Sequence, residues 1–462
     1  MEGALLVAYA VSDHPLYGGE PGFGQTQMLI LAAGVGLALC GFLPAWIATR
    51  ILILATTSVI MLAFAEIGGE FVLGPRFRPI FQPDDRLIFK LIPNRRSTMT
   101  RALANGGGTV SHRINSEGFR GDELRPAGEA TRIVVYGDSF IHAGYSPQEE
   151  TFAHGLGALL TDRLGRTVQV VNAGVSSYGP DQVVLKMEDE LPRLRPDLAV
   201  VAIFAGNDYG DLLRNKLFRL GTDGALVENR WTLDPHVRML FELGQRESIL
   251  KRAFRNLAAV RPQPSALDER GMLVAGASKF SDPDFLLGEA EREYRTFVLE
   301  HDDVVTNTHV DYYSADLSLR PDSASALYKV ALMEAVIRRI RDTAARNGVA
   351  LVFLFIPHPA DVADSYDDWR IDRTRFPEYN GRNQIAPLET MSRTLGLRSL
   401  SLYERFRASD ANRLYFHGGD DHWNAAGQRL AAEMMTEYLI AQGLLVARGA
   451  PSGAPKRETS GK

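Results

Sequence analysis

Four short apolar runs, each closed by a glycine, a proline or a polar turn, constrain this chain more than any other feature. They are RIVVY (132–136), VQVVNAG (168–174), LAVVAIFAGND (198–208) and ALVFLFIP (350–357). Runs of this length and composition read as buried strands. Between them, residues 151–164 repeat apolar positions at helical spacing, and Val330, Met333, Ile337 and Ile340 mark one face of another helix. Residues 383–396 read as a further helix, 397–403 as a short strand, and Asn424–Ile440 as the last helix. Strands alternating with helices of this size predict parallel βαβ units and an α/β fold.

The N-terminal end has a different texture. Residues 1–26 read as an arm, and residues 27–48 carry no charge. As a helix, 27–48 would extend about 33 Å, enough for the hydrocarbon core of a bilayer. A second apolar run, 51–65, follows Arg50 and can extend to Leu73 if Glu66 and Glu70 reach the interface. The reading over 27–73 is two transmembrane helices joined by a turn at Thr49 and Arg50. The alternative is one spanning helix and one buried or interfacial helix. The first 26 residues lack Lys and Arg, which argues against a cleaved signal peptide.

Residues 74–130 read as a turn-rich linker packing on the domain, with PNRRSTMT, the triplet Gly106–Gly108 and INSEGFRG (114–121). The catalytic domain is expected over 131–442. The charged, aromatic stretch 209–325 interrupts it as an insertion, with a helical signal near 236–258. The tail 443–462 is small, polar and charged, and is expected to be disordered. A net charge of −5 offers no basic field for nucleic acid. Cys40 is the sole cysteine, so no disulfide forms within the chain. No metal-ligand spacing stands out among the histidines, and no metal or organic cofactor is expected.

Chemistry-bearing residues collect where these strands end. Ser139 follows the first run in GDSF, Gly174 closes the second in NAG, and Asn207 follows the third in GND. His422 stands in YFHGGDDHWNAAGQ (415–428), just before the last helix. Together they supply a nucleophile, oxyanion donors and a base, the set that acyl transfer through a serine ester requires. Asp420 or Asp421 could orient the imidazole, with Asp420 favoured; His417 is the rival base. Tyr209, Arg214 and Lys216 follow Asn207 closely and could face a sugar or carboxylate, and His358 in IPHP could line the cleft. Each of these positions also has a purely structural reading, as a cap, a turn or a solvated face.

Taken in order, GDS, NAG, GND and the C-terminal His block resemble the SGNH/GDSL hydrolase superfamily over roughly 114–212 and 326–442. The resemblance implies a flavodoxin-like three-layer α/β/α sandwich with a parallel sheet. It implies Ser139 as nucleophile and first oxyanion N–H, Gly174 and Asn207 as the other oxyanion donors, and His422 as base. The family's usual DxxH is absent, because position 419 is glycine; Asp420 gives D-x-H, similar to some membrane-linked polysaccharide-modifying relatives. The expected activity is hydrolysis of acyl esters on a glycan or lipid at the membrane. The alternatives are O-acyl transfer to an extracellular polysaccharide with the same residues, and a non-catalytic anchored assembly protein. The expected partners are the acylated glycan or lipid, the bilayer and other membrane proteins of polysaccharide biosynthesis. Flanking Arg76, Arg78, Arg86 and Lys90 favour a cytoplasmic domain by the positive-inside rule. The resemblance favours the periplasmic side of a bacterial inner membrane, which is the reading adopted.

Overall fold

The computed structural model describes residues 2–11, 25–77, 79–101, 105–235, 237–239, 283–301, 303–305, 313–363, 366, 371–417 and 420–445. The chain divides into two units. One comprises 1–77 with 234–255, the other 78–233 with 256–462.

The first unit is helical where described: α1 (Glu2–Val11), α2 (Gln25–Leu39) and α3 (Ala45–Phe77). A 3-10 turn, Cys40–Phe42, follows α2, and Leu43 is extended at φ −85° and ψ 156°. Proline disfavours the helical region for the residue before it, and it is tolerated only in a helix's first turn. The break therefore falls at Leu43–Pro44, not at Thr49 and Arg50, and Arg50 lies inside α3 over the Trp46 ring. Two spanning helices were expected; the described residues hold one of spanning length. Ala45–Gly69 has 25 residues, a mean hydropathy of 2.1 and no buried residue, whereas the apolar stretch Ile30–Phe42 is too short. The expected arm contains α1, with 12–24 outside the described residues.

The second unit is built on a five-stranded sheet of β5 (Thr131–Tyr136), β6 (Val168–Asn172), β7 (Leu198–Phe204), β12 (Ala350–Ile356) and β13 (Ser399–Ser401). Neighbouring strands are parallel and lie in the order β13-β12-β7-β5-β6. Counted along the chain this is 2-1-3-4-5, one of the two common doubly wound orders. Every residue of the central β7 is buried, which explains its unbroken apolar run. On one side α5 (Phe152–Leu164) packs with the helix Ala425–Ala441, and α6 (Pro180–Leu194) packs with the helix Ala324–Arg346. The arrangement fits three α/β/α layers.

The expected linker is more than a tether. It forms two antiparallel hairpins, β1 (Phe81–Asp84) with β2 (Ile88–Leu91) and β3 (Arg95–Thr100) with β4 (Thr109–Ile114). Phe89 is buried, and its carbonyl accepts the Tyr178 hydroxyl at 2.5 Å. Antiparallel bridges Ile114–Arg120 and Arg120–Asn172 join this segment to the β6 edge of the sheet. The insertion carries α7 (Asp208–Asn215), strands β8 (Phe218–Leu220), β9 (Leu226–Glu228), β10 (Thr232–Leu233) and β11 (Val304–Val305), and the helix Pro283–Tyr294. Most of the helical signal at 236–258 and residues 446–462 of the expected tail lie outside the described residues.

Candidate active site

Parallel strands aligned at their carboxyl ends put the turns that follow them side by side. Register pairs Val135 with Asn172, Tyr136 with Val201, and Phe204 with Ile356. The turns carrying Ser139, Gly174, Asn207 and His358 therefore share one edge of the sheet. They flank the point where strand order reverses, where doubly wound folds gather their reactive groups.

Ser139 opens the four-residue helix α4 (Ser139–His142). Asp138 caps it, accepting the Phe140 N–H at 2.9 Å. The bond satisfies one of the amides that a helix start leaves open and aims the first turn off the end of β5.

The histidine block is braced on several sides. Asn424 caps the helix Ala425–Ala441 through Ala426 N at 2.9 Å and Gly427 N at 3.2 Å. Tyr415 pairs with Trp423 across the turn, and the Tyr366 hydroxyl donates to the Phe416 carbonyl and, at 2.6 Å, to that of Asp420. Inside this turn the Asp420 carboxylate accepts the His422 backbone N–H at 3.1 Å and contacts His422 Nδ1 at 2.7 Å. One carboxylate oxygen thus fixes both backbone and ring, and it makes Nδ1 the protonated nitrogen. Asp421 lies farther off, 3.5 Å from Nδ1. Desolvation holds its carboxyl above the ordinary range, opposed by His422 and reinforced by the Asp420 charge. The His422 ring packs on Phe140, the residue after Ser139, with centroids 5.1 Å apart, and on Tyr145 at 6.0 Å. Among the described residues no hydrogen bond joins Ser139 to His422. Catalytic hydrogen bonds are often long in unliganded sites and tighten when substrate binds. The rival base His417 is exposed, with its ring against Tyr366 and its backbone N–H on Asn105.

Asn207 is 3% exposed and caps nothing; its Oδ1 is buried without a hydrogen-bond partner. The orphaned atom is an acceptor, which is costly to bury and offers a place for a donor group of a ligand. Gly174 is different. Its N–H donates to Asn172 Oδ1 at 3.1 Å, so the expected donation to an oxyanion is already committed. A Cβ at this position would lie 2.5 Å from His142 N and 2.8 Å from Ile141 C. Glycine is needed here because the β6 turn runs directly against the backbone of α4.

The substrate contacts expected of Tyr209 and Arg214 find no support. Tyr209 is fully buried with its hydroxyl on the Gln384 carbonyl at 3.1 Å. Arg214 is 5% exposed and paired with Asp211 and, at 3.7 Å, with Glu293. Lys216 is buried and donates to the Val304 carbonyl at 2.8 Å. All three side chains are spent tying α7 to its surroundings. His358 is buried at the carboxyl end of β12. Its Nδ1 accepts from Ala360 N at 3.2 Å, its ring stacks near Phe204, and its Nε2 is 3.7 Å from Asp421 Oδ2. Burial pushes its pKa down to about 3, so it is a neutral wall.

Three residues with no assigned role in the sequence belong to α4 or contact the segment around it. Asn172 bridges it through its Nδ2, which donates to the Ile141 carbonyl at 2.6 Å. His142 is buried, with Nδ1 on Ser176 Oγ at 2.6 Å, and desolvation holds it well below the usual imidazole range. His112 is pushed down to about 4 by burial and by the Arg120 charge. The one available signal was sequence adjacency: Asn172 lies in the NAG string and His142 three residues past Ser139.

No family profile matches this chain, and neither does any curated protein. Solved structures do. A two-domain esterase active on acetylated mannans is 14% identical with a TM-score of 0.30, over 68% of this chain and 50% of its own. A psychrotrophic esterase from Pseudoalteromonas sp. is 9% identical with a TM-score of 0.31, over 68% of this chain and 98% of its own. A GDSL-like lipase from Bacteroides thetaiotaomicron is 10% identical with a TM-score of 0.30, over 70% and 91%. The chain thus spans half the length of the two-domain esterase.

Proposed function

We propose that this protein is a membrane-anchored serine ester hydrolase, acting on acyl esters carried by a glycan or lipid on the periplasmic side of a bacterial inner membrane. The carrying observation is the 2.7 Å contact of Asp420 with His422 Nδ1, in a turn packed on the residue after Ser139. With Nδ1 protonated, Nε2 keeps the lone pair that a general base needs. The anchor is the exposed apolar segment Ala45–Gly69.

In this mechanism Ser139 Oγ attacks the ester carbonyl carbon while His422 Nε2 takes its proton. The tetrahedral oxyanion is held by the Ser139 N–H and the Asn207 side-chain amide. Asp420 stabilises the imidazolium, which then protonates the leaving alcohol as the C–O bond breaks. Water, deprotonated by His422, attacks the acyl-Ser139 ester; the acid leaves and Ser139 regains its proton. His358 and His142, held neutral by burial, add no competing cation beside the imidazolium. Removing one oxyanion donor typically costs about 3–4 kcal/mol of transition-state stabilisation.

Ser139→Ala should abolish turnover of an activated acetate ester and labelling by a fluorophosphonate probe, with the melting temperature retained. Turnover at the wild-type rate would reject the serine mechanism. A C-terminal alkaline phosphatase fusion tests the orientation: active reporter is expected, and an inactive one places the domain in the cytoplasm.

A further inference from the structure

Helix α4 is too short to satisfy its own C-terminal carbonyls, and the chain leaving it is a loop. Those carbonyls are taken by side chains from elsewhere. Asn172 Nδ2 takes the Ile141 carbonyl at 2.6 Å. Arg120 Nη1 donates to the carbonyls of His142 and Ala143, and its Nη2 donates to that of Ser146 at 2.6 Å. His112 Nε2 contacts the Gly144 carbonyl.

The Arg120 guanidinium is unusual. The residue is 2% exposed, and its hydrogen bonds all go to backbone carbonyls. Among the described residues no carboxylate neutralises it, and burial alone lowers its pKa, to about 10, so it stays charged. Burying an unpaired cation is expensive, and it is sustained here by charge-assisted bonds to three carbonyls in fork geometry. The segment that carries Arg120 is shaped to deliver it. Asn115 Oδ1 accepts the N–H groups of Glu117 and Phe119 at 3.0 and 2.9 Å. Gly121 adopts φ +119° immediately after Arg120, a conformation favouring glycine. The Arg120 backbone then pairs with Asn172, so the two clamping side chains start from one bridge.

We infer that Arg120, with Asn172, is a positioning residue for the nucleophile: it fixes the end of α4 and so the place of Ser139. The NSEGFRG segment is on this reading a working part of the active site. The inference rests on Ser139 as nucleophile.

The test uses the full chain in detergent, an activated acetate ester, and rates per active site titrated with a fluorophosphonate, so that loss of folded protein does not register as loss of rate. Arg120→Lys keeps the charge but replaces the planar fork with a single ammonium nitrogen, which cannot reproduce the two-nitrogen geometry on the three carbonyls. It should lower kcat about 10- to 100-fold with KM unchanged, the cost of small misplacement of a reacting group. Wild-type kcat in Arg120→Lys would overturn the inference. Should that variant fail to fold, Asn172→Asp decides. It removes the donor to Ile141 but keeps the acceptor for Gly174 N–H, and the same fall in kcat at unchanged KM is expected; an undiminished kcat overturns the proposal. Ser139→Ala in the same assay separates the two ideas. An inactive Ser139→Ala beside a fully active Arg120→Lys sinks only the clamp, whereas an active Ser139→Ala sinks the serine mechanism itself.

Discussion

Gly174→Ala distinguishes a glycine kept for its N–H from one kept for its lack of a side chain. The added Cβ would lie 2.5 Å from His142 N, 2.7 Å from Ile141 Cβ and 2.8 Å from Ile141 C. Two of these three atoms are backbone, so no rotamer change relieves the contact. Ordinary van der Waals separation is about 3.4 Å or more, so α4 and the β6 turn must part by roughly 1 Å. Overpacking of this kind typically costs about 1–3 kcal/mol. For a domain of this size each kcal/mol lowers the melting temperature by about 2–4 °C. A displacement of about 1 Å at a reacting group, the role proposed for Ser139, costs on the order of 100-fold in rate. Alanine retains the amide N–H, so a loss of that size would be due to displacement and not to a missing donor. The assay is kcat on an activated acetate ester together with thermal denaturation followed by circular dichroism. Gly288→Ala, where nothing lies within 4 Å of the added carbon, is the control and should leave kcat unchanged. Full activity and an unshifted melt for Gly174→Ala would refute the packing of this turn on α4.

Further predictions concern the acids. Asp420→Asn should lower kcat by about 10³- to 10⁴-fold by releasing the His422 tautomer, while Asp421→Asn costs less than about tenfold; the reverse ranking in steady-state kinetics would make Asp421 the orienting acid. Asp361 is buried, accepts the Tyr313 hydroxyl at 3.0 Å, and is pushed up to about 8 by desolvation. A carboxyl raised in the folded state binds more protons folded than unfolded, so its contribution is greatest at low pH and is lost as pH rises from about 4 through 8. Between pH 5.5 and 8.5 the loss is about 3 kcal/mol. Urea unfolding at the two pH values should show wild type losing that much relative to Asp361→Asn, and an equal change in both proteins would rule the shift out.

Much of the candidate site's placement was legible because strand ends are local events. A short apolar run stopped by Gly137, Gly174 or Asn207 announces both a buried strand and the turn beyond it, and parallel order then brings those turns together. Asp420 is favoured over Asp421 in the sequence because residues two apart on a turn can point the same way, and in the structure Asp420 lies nearer His422 Nδ1, at 2.7 Å against 3.5 Å. The spans were less legible. The hydropathy profile is interrupted at Arg50, whereas the backbone restriction at Leu43–Pro44 is stereochemical and leaves no mark on such a profile.

The sequence by itself determined the strand–helix alternation, the apolar anchor and the positions of Ser139, Asn207 and His422, because each follows from periodicity or from residues adjacent along the chain. Only the tertiary structure decided where Tyr209 and Arg214 point, since their partners Gln384 and Glu293 come from distant segments. It also decided that Gly174 N–H donates to Asn172, and that a guanidinium from the supposed linker holds the end of the helix that carries Ser139. Charge and hydrogen-bond partners across such separations are chosen by packing, and no local pattern encodes them.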